Sequence, residues 1–268
     1  ITIEGMTKGD ITAEAAVFIM TVLFLFYGIL GGLLAAAITD TIQGILTVVL
    51  SFLLIPFLLY EVGGMSGLHQ KLDPEMFHLV ASEGTKGLTL FWIIIVSFNG
   101  LVGIVVQPHT MLVVGSAKTE IESRVGQCFG NFIKRFCTVA WAFVGIGCVA
   151  MYTLSELDGH PERAFGQAVT DLLPVGFSGL MLVCVLAAVM STCDALMVAG
   201  SALFTNHVYA RFLKPNHSEK HYVFVGRVVS FFIVGGGLAF AYMIKDAKTG
   251  LEIFWRANAI IGIAFWMG

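Results

Sequence analysis

The residues best suited to chemistry lie in one short run, where two hydroxyls and a carboxylate interrupt an apolar segment. The run reads AAVMSTCDA from residue 187, with the hydroxyls at Ser191 and Thr192 and the carboxylate at Asp194. The surrounding segment, residues 175–209, exceeds the roughly 20 residues that a helix needs to cross a bilayer. Because such side chains are costly at that depth, they mark an ion or substrate path by default.

The spacing in this run predicts a cation site. Ala188, Ser191, Thr192 and Ala195 share one helix face, and Asp194 lies about 60° beyond Ser191. A backbone carbonyl beside small residues, two hydroxyls and a carboxylate supply the oxygen ligands that hard cations prefer. The alternative is that the hydroxyls only bond back to the preceding turn of the helix.

A second candidate site lies in the third apolar segment, where polar residues and glycines occur together. The residues concerned are Ser97, Asn99, Gly103, Gln107 and Pro108. Glycine weakens a helix and proline removes a backbone donor, so we predict a break between residues 98 and 103 that turns carbonyls toward a solute. The alternative is helix packing. We expect His109 to be a satisfied hydrogen-bonding residue between helices rather than a titrating group.

Composition identifies the elements that must position these residues. Hydrophobic residues make up 57% of the chain and charged residues 12%, about half the charged fraction of a soluble domain. Long apolar runs without a strand pattern predict an all-α integral membrane protein in the lipid bilayer. No basic run indicates nucleic acid, and no nucleophile–base pair, phosphate loop or metal motif indicates an enzyme.

We predict one transmembrane domain over residues 1–268, cut at both ends from a longer protein. It contains about seven apolar segments: 13–36, 40–62, 88–115, 130–154, 175–209, 222–244 and one from about 251. The first two have almost no loop between them. Asp40 begins the second segment, either as a first-turn acid that complements the helix dipole or as an ion relay.

Positive charge predicts the orientation of the segments. The connectors 116–129 and 210–221, with the adjoining helix ends, carry eight of the fifteen basic residues. These are Lys118, Arg124, Lys134, Arg135, Arg211, Lys214, Lys220 and Arg227. Because short cytoplasmic loops are rich in Lys and Arg, we expect this side to be cytoplasmic.

Three stretches together resemble the sodium:solute symporter family. Residues 27–43 read YGILGGLLAAAITDTIQ, similar to the family's Gly-Gly-Leu-x-Ala … Thr-Asp-x-x-Gln signature. Gln107-Pro108-His109 is similar to the proline-type branch, and AAVMST at 187–192 completes the pattern. The resemblance covers essentially the whole chain.

The resemblance implies the leucine-transporter-like fold, in which two inverted five-helix repeats enclose a site near mid-membrane. This chain would contain part of that bundle, core helices four to ten with the tenth incomplete. Ala188, Ser191 and Thr192 match the sodium site on the eighth core helix. Asp40 matches the aspartate linked in some members to a second sodium ion or to inward movement of sodium.

Two further implications concern departures from the family pattern and the solute. Members with the additional sodium site carry hydroxyls where this chain has Asp194 and Ala195. Sugar-transporting relatives place an Asn and a large aromatic residue where this chain has Gly103 and Ile104. Asn258, in the tenth core helix, corresponds to a position that can contact substrate in relatives.

The expectation is therefore a sodium-coupled symporter of a small organic solute, an amino acid or carboxylate, that works by alternating access in the plasma membrane. Its partners would be sodium, the solute and the bilayer, with no nucleic acid. Two alternatives stay open. A symporter-like domain can serve as the sensor of a membrane histidine kinase, and the carboxylate of Asp194 would also suit a proton-coupled transporter.

Overall fold

The computed structural model of the protein describes residues 2–78, 80 and 89–243, and within these residues it contains helices and no strand. The helices are α1 Thr2–Met6, α2 Ala13–Leu50, α3 Leu54–Val62, α4 Gly64–Lys71, α5 Leu90–Val106, α6 Pro108–Gly115, α7 Glu120–Met151, α8 Ala164–Leu172, α9 Val175–Leu203 and α10 Glu219–Met243. A π-helical stretch, Phe204–Leu213, continues α9, and 3₁₀ turns lie at Pro74–Phe77 and Pro161–Arg163.

Four spans in the described residues are long and apolar enough to cross a membrane: Ala36–Val62, Glu120–Met151, Val175–Leu213 and Glu219–Met243. The prediction of an all-helical membrane protein is confirmed. The seventh predicted segment, which contains Asn258, lies outside the described residues.

Helix α2 reverses direction at Gly32. This residue has φ 58° and ψ −153°, a conformation that is essentially restricted to glycine. Before the reversal, Met20 packs against Leu186 of α9 and Gly28 lies against Asp194. Because residue numbers rise together along both helices, the first half of α2 runs parallel to α9.

The second half of α2 returns antiparallel to α9. Asp40 accepts a hydrogen bond from Ser191, and farther along, the Cys184 Sγ lies 3.7 Å from the Thr47 hydroxyl. The numbers on α9 thus fall as those on α2 rise. The short connection predicted between segments 13–36 and 40–62 is found, but the reversal lies at Gly32, inside the first predicted segment, and the two arms form a tight helical hairpin.

The interruption in the third segment lies at Gln107, so the predicted break between residues 98 and 103 is wrong. Helix α5 continues to Val106, Gln107 is extended with φ −68° and ψ 112°, and Pro108 begins α6. Proline disfavours helical geometry at the residue before it, whereas glycine only weakens a helix.

A well-packed cluster joins α3, α7 and α8 at the end of the bundle opposite the Gly32 reversal. Leu58 is fully buried and lies over Gly147, where an added methyl group would overlap the leucine side chain. Such close packing around small residues is how helices associate in a bilayer. The cluster holds the ends of three helices together.

Helices α1 and α8 pack closely at the same end of the bundle. A Cβ at Gly166 would overlap the carbonyl oxygen of Thr2. The half-buried Arg163, directly before α8, pairs with Glu4 of α1, with Nη2 2.9 Å from Glu4 Oε1. Its Nη1 lies 2.6 Å from Asp158 Oδ2. Residues about 160 positions apart in sequence are therefore tied directly together.

Candidate functional site

The candidate site lies where the α2 hairpin packs along α9, which is the most extensive helix–helix interface in the described residues. The Ser191 hydroxyl donates a hydrogen bond to Asp40 Oδ1, and both side chains are half-buried. Two residues that the sequence analysis assigned to cation binding are thus in direct contact across the interface. Asp40 lies eight residues beyond Gly32 inside a continuous helix, so its interpretation as a first-turn acid is wrong.

Thr192 bonds back to the preceding turn. Its hydroxyl donates to the Ala188 carbonyl oxygen at 3.1 Å, which is the local pattern weighed as the alternative to cation binding. The bond uses the threonine proton and one carbonyl lone pair. In the α-helix the Thr192 backbone N–H bonds to this same oxygen, so both lone pairs of the Ala188 carbonyl are engaged, whereas the Thr192 hydroxyl oxygen keeps acceptor capacity for a cation.

Asp194 is fully buried, with 0% of its surface exposed. Neither carboxylate oxygen has a hydrogen-bond partner among the described residues. A buried charge is strongly unfavourable unless it is paired or hydrogen-bonded. Either a cation or a proton would neutralise this carboxylate.

The first half of α2 closes over this carboxylate. A Cβ built on Gly28 would overlap Asp194 Oδ1 and would come within 2.5 Å of Met197 Cε. On the other arm of the hairpin, Asp40 contacts Ser191, one helical turn before Asp194 on α9. Gly28 and Asp40, which contact Asp194 and Ser191 of α9, thus lie on either side of the reversal at Gly32.

The predicted solute residues are not brought to this interface as a group. Ser97 is exposed and Asn99 half-exposed on α5, and the substantial packing of α5 within the described residues is against α6 alone. Gly103 also lies on α5. Gln107 is the exception, because it lies at the break that begins α6, and α6 packs against α9.

Two further polar residues belong to helices that pack on α9. The Nδ1 atom of His109, on α6, is buried and has no hydrogen-bond partner among the described residues, so the expectation of a satisfied histidine is wrong for that atom. Gln43 Oε1, one helical turn after Asp40, is likewise buried without a hydrogen-bond partner among the described residues. In both cases the sequence shows a polar side chain within an apolar segment. Only the packing shows that these atoms lack hydrogen-bond partners among the described residues.

The chemistry of this interface is that of oxygen ligands around a small cation. Two hydroxyls, one backbone carbonyl and two carboxylates lie along about two turns of α9 and the facing arms of α2. These are hard oxygen donors, which suit cations such as sodium and calcium. A site of this composition binds a cation reversibly without any covalent step.

Comparison with known proteins assigns the chain to a family. A model of the sodium:solute symporter family matches residues 8–265. The chain is 27% identical to the sodium/proline symporter of Escherichia coli (strain K12), over 94% of this chain and 50% of that protein. It is 26% identical to sodium/glucose cotransporter 2 of Rattus norvegicus, over 88% of this chain and 41% of that protein.

A third relative is a second sodium/glucose cotransporter. Sodium/glucose cotransporter 4 of Danio rerio is 25% identical, over 87% of this chain and 40% of that protein. The chain therefore spans only about half the length, or less, of these three relatives.

Proposed function

Because the chain belongs to the sodium:solute symporter family, we propose that the protein of which it forms a part couples sodium entry to uptake of a small organic solute. Transport proceeds by alternating access. The main supporting observation is the buried carboxylate of Asp194, which has no hydrogen-bond partner within the described part of the chain and lies one turn from the Ser191–Asp40 contact. The protein is multi-pass, and its proposed location is the plasma membrane.

Sodium binds first to the oxygens of Ser191, Thr192 and the Ala188 carbonyl. The 3.1 Å distance between the Thr192 hydroxyl and the Ala188 carbonyl oxygen supports this role, and sodium takes the place of the hydroxyl proton that bonds the carbonyl here. The Ser191 hydroxyl is both the partner of Asp40 and a proposed ligand of sodium. Sodium binding therefore competes with, or reorganises, the Ser191–Asp40 hydrogen bond. That competition links the ion to the packing of α2 on α9.

Asp40 and Asp194 form the next stage of the cation path. The α2 hairpin reverses close to both residues, and α9 continues past them toward the side rich in Lys and Arg. A cation that leaves Ser191 therefore meets the carboxylate of Asp194 one turn farther toward the cytoplasm. Coupling follows if sodium binds one of the two access states more tightly than the other, since a ligand shifts a conformational equilibrium only by differential affinity.

The solute site is proposed at the α5–α6 break. Gln107 has the strongest support because it lies at that break beside α9. Ser97, Asn99 and Gly103 extend this proposed site along α5, and Asn258, which lies outside the described residues, is included on the family resemblance alone. The solute is an amino acid or a small carboxylate. This choice is supported by the proline-type motif that begins at Gln107.

Uptake by the full-length protein tests this function. Proteoliposomes with and without a sodium gradient should be compared for labelled amino acids, carboxylates and sugars. Ser191→Ala combined with Thr192→Ala should raise the sodium concentration for half-maximal uptake by about tenfold or more, equivalent to about 1.4 kcal/mol. Ser201→Ala is the matched control, because its hydroxyl bonds only within α9, to the Val198 carbonyl.

The same assay separates the alternatives. Uptake that does not depend on sodium but requires a proton gradient would favour the proton-coupled transporter, and the carboxylate of Asp194 is its support. Absence of uptake, together with sodium- or solute-dependent kinase activity of the full-length protein, would favour the sensor. Unchanged sodium activation in the double variant would eliminate the proposed ligands.

A further inference from the structure

An almost entirely apolar groove of about 620 Å³ lies between the π-helical end of α9 and helix α10. Phe204, Tyr209 and Leu213 line the α9 side. The α10 side is a strip of six residues: Phe224, Val225, Val228, Val229, Phe232 and Ile233. Their spacing places them along one face of the helix.

The groove has the length of one membrane leaflet. Its α10 wall extends over ten residues, from Phe224 to Ile233, which corresponds to a rise of about 14 Å at 1.5 Å per residue. The hydrocarbon core of a bilayer is about 30 Å thick, so one leaflet contributes about half of that. Phe224 is 64% exposed and Phe232 70% exposed, so these rings are accessible to a ligand in the membrane.

The end of the groove near Leu213 carries positive charge. Arg211 and Lys214 flank the groove residue Leu213 in sequence, Lys220 precedes Phe224, and all three are exposed; Glu219 is the acidic residue among them. Lys220 lies one helical turn before Phe224, on the same side of α10 as that groove residue. Charge at one end and an apolar strip beyond it match the two parts of an anionic phospholipid.

Hydrogen bonds hold this positively charged end in position. The Tyr222 hydroxyl donates to the Lys214 carbonyl oxygen at 2.8 Å and accepts from the His217 backbone N–H at 3.1 Å. The Tyr209 hydroxyl lies 3.0 Å from His221 Nε2, which links the α9 side to α10. The connector that carries the basic residues is thus fixed relative to the groove.

We propose that this groove binds one acyl chain of an anionic phospholipid of the cytoplasmic leaflet, with the headgroup phosphate held by Arg211, Lys214 and Lys220. Basic residues at the cytoplasmic ends of helices attract anionic headgroups, and the apolar groove accounts for the chain. This inference concerns a site separate from the cation site and does not rest on the proposed transport activity.

Native mass spectrometry of the full-length protein tests the site with phosphatidylglycerol and phosphatidylcholine of identical acyl chains. The wild-type protein should retain phosphatidylglycerol preferentially. The triple variant Arg211→Gln, Lys214→Gln, Lys220→Gln should lower phosphatidylglycerol affinity by about tenfold or more, because each basic residue contributes to headgroup attraction. The matched control is Lys118→Gln, Lys134→Gln, Arg135→Gln, which removes the same charge from exposed positions on the same predicted side.

A second variant tests the groove itself. Val228→Trp should fill it and reduce retention of phosphatidylglycerol, whereas Val223→Trp, on the same helix but outside the groove, should not. Soluble glycerol phosphate should not displace the lipid, since it lacks the acyl chain. Equal retention of the two lipids by the wild type, as expected if another protein segment covers the groove, would overturn the proposal. Equal effects of the two triple variants, or of the two tryptophan variants, would also overturn it.

Discussion

Gly28 of α2 lies directly against the carboxylate of Asp194, and no larger residue fits between the two helices at that point. An added Cβ would overlap Asp194 Oδ1. The glycine thus allows the hairpin to close over a fully buried carboxylate that has no hydrogen-bond partner among the described residues. Helix packing and the chemistry of the cation site therefore depend on the same contact.

Gly28→Ala should destabilise the protein by about 1–3 kcal/mol, the usual cost of overpacking a close contact. The better helix propensity of alanine offsets at most about 1 kcal/mol of this. The measurement is the free energy of unfolding of the full-length protein in detergent. Gly44→Ala is the control, because a Cβ at that position on the same helix meets no atom within 4 Å.

A rescue experiment identifies the atom responsible. Asp194→Ser removes the oxygens that a Cβ at position 28 would overlap, so the double variant should lose less stability than the sum of the two single changes. The Met197 side chain is flexible and can move aside. Additive losses in the double variant would show that the contact with Asp194 is not the cause.

Asp194→Asn should remove the dependence of sodium activation on pH. In the wild-type protein, a proton and a sodium ion compete for a buried carboxylate that must be neutralised. The sodium concentration for half-maximal uptake should therefore rise as the pH falls from about 8 to about 6, by at most about tenfold per pH unit for a single competing proton. An Asn variant that keeps the wild-type pH profile would exclude Asp194 as the competing group.

Glu4→Gln should cost more stability than Asp158→Asn, although both residues pair with Arg163. The Glu4 side chain is 25% exposed and that of Asp158 is 76% exposed. We expect a loss of about 1.5–3 kcal/mol for Glu4→Gln, typical of a shielded hydrogen bond to a charged group. The exposed pair should contribute less than about 1 kcal/mol. Unfolding measurements on both variants decide the order, and equal losses would contradict it.

Tyr152→Phe should flatten the alkaline end of the stability profile. Burial raises the pKa of Tyr152, and its 3.0 Å hydrogen bond to Asp171 and the charge of that carboxylate raise it further. The folded state therefore holds the proton more tightly, so this stabilisation is complete below the unfolded pKa of about 10 and is lost as the pH rises through the higher folded pKa.

The free energy of unfolding of the wild type should then decline more steeply above about pH 10 than that of Tyr152→Phe. At neutral pH the variant should lose about 1 kcal/mol for the missing hydrogen bond. Tyr60→Phe, at a position that is 88% exposed, provides the control. Parallel alkaline profiles for the wild type and Tyr152→Phe would contradict the prediction.

The position of the helix break shows where local sequence reasoning fails. The glycines at 100 and 103 suggested a break there, but α5 continues through both. In a bilayer no water is available to replace a broken helical hydrogen bond, so a helix continues through glycine rather than ending there. Pro108 cannot donate such a bond, and the chain breaks immediately before it.

By itself, the sequence determined properties that depend on near neighbours: long apolar helices, the first two with almost no loop between them, and oxygen-bearing side chains on one face of α9. Hydropathy and helical periodicity encode these directly. Only the tertiary structure decided that Ser191 bonds to Asp40, 151 positions away, and that Gly28 covers Asp194. These contacts follow from the direction in which α2 returns and the depth at which it packs on α9. Both depend on side-chain fit between distant segments, which local periodicity does not encode.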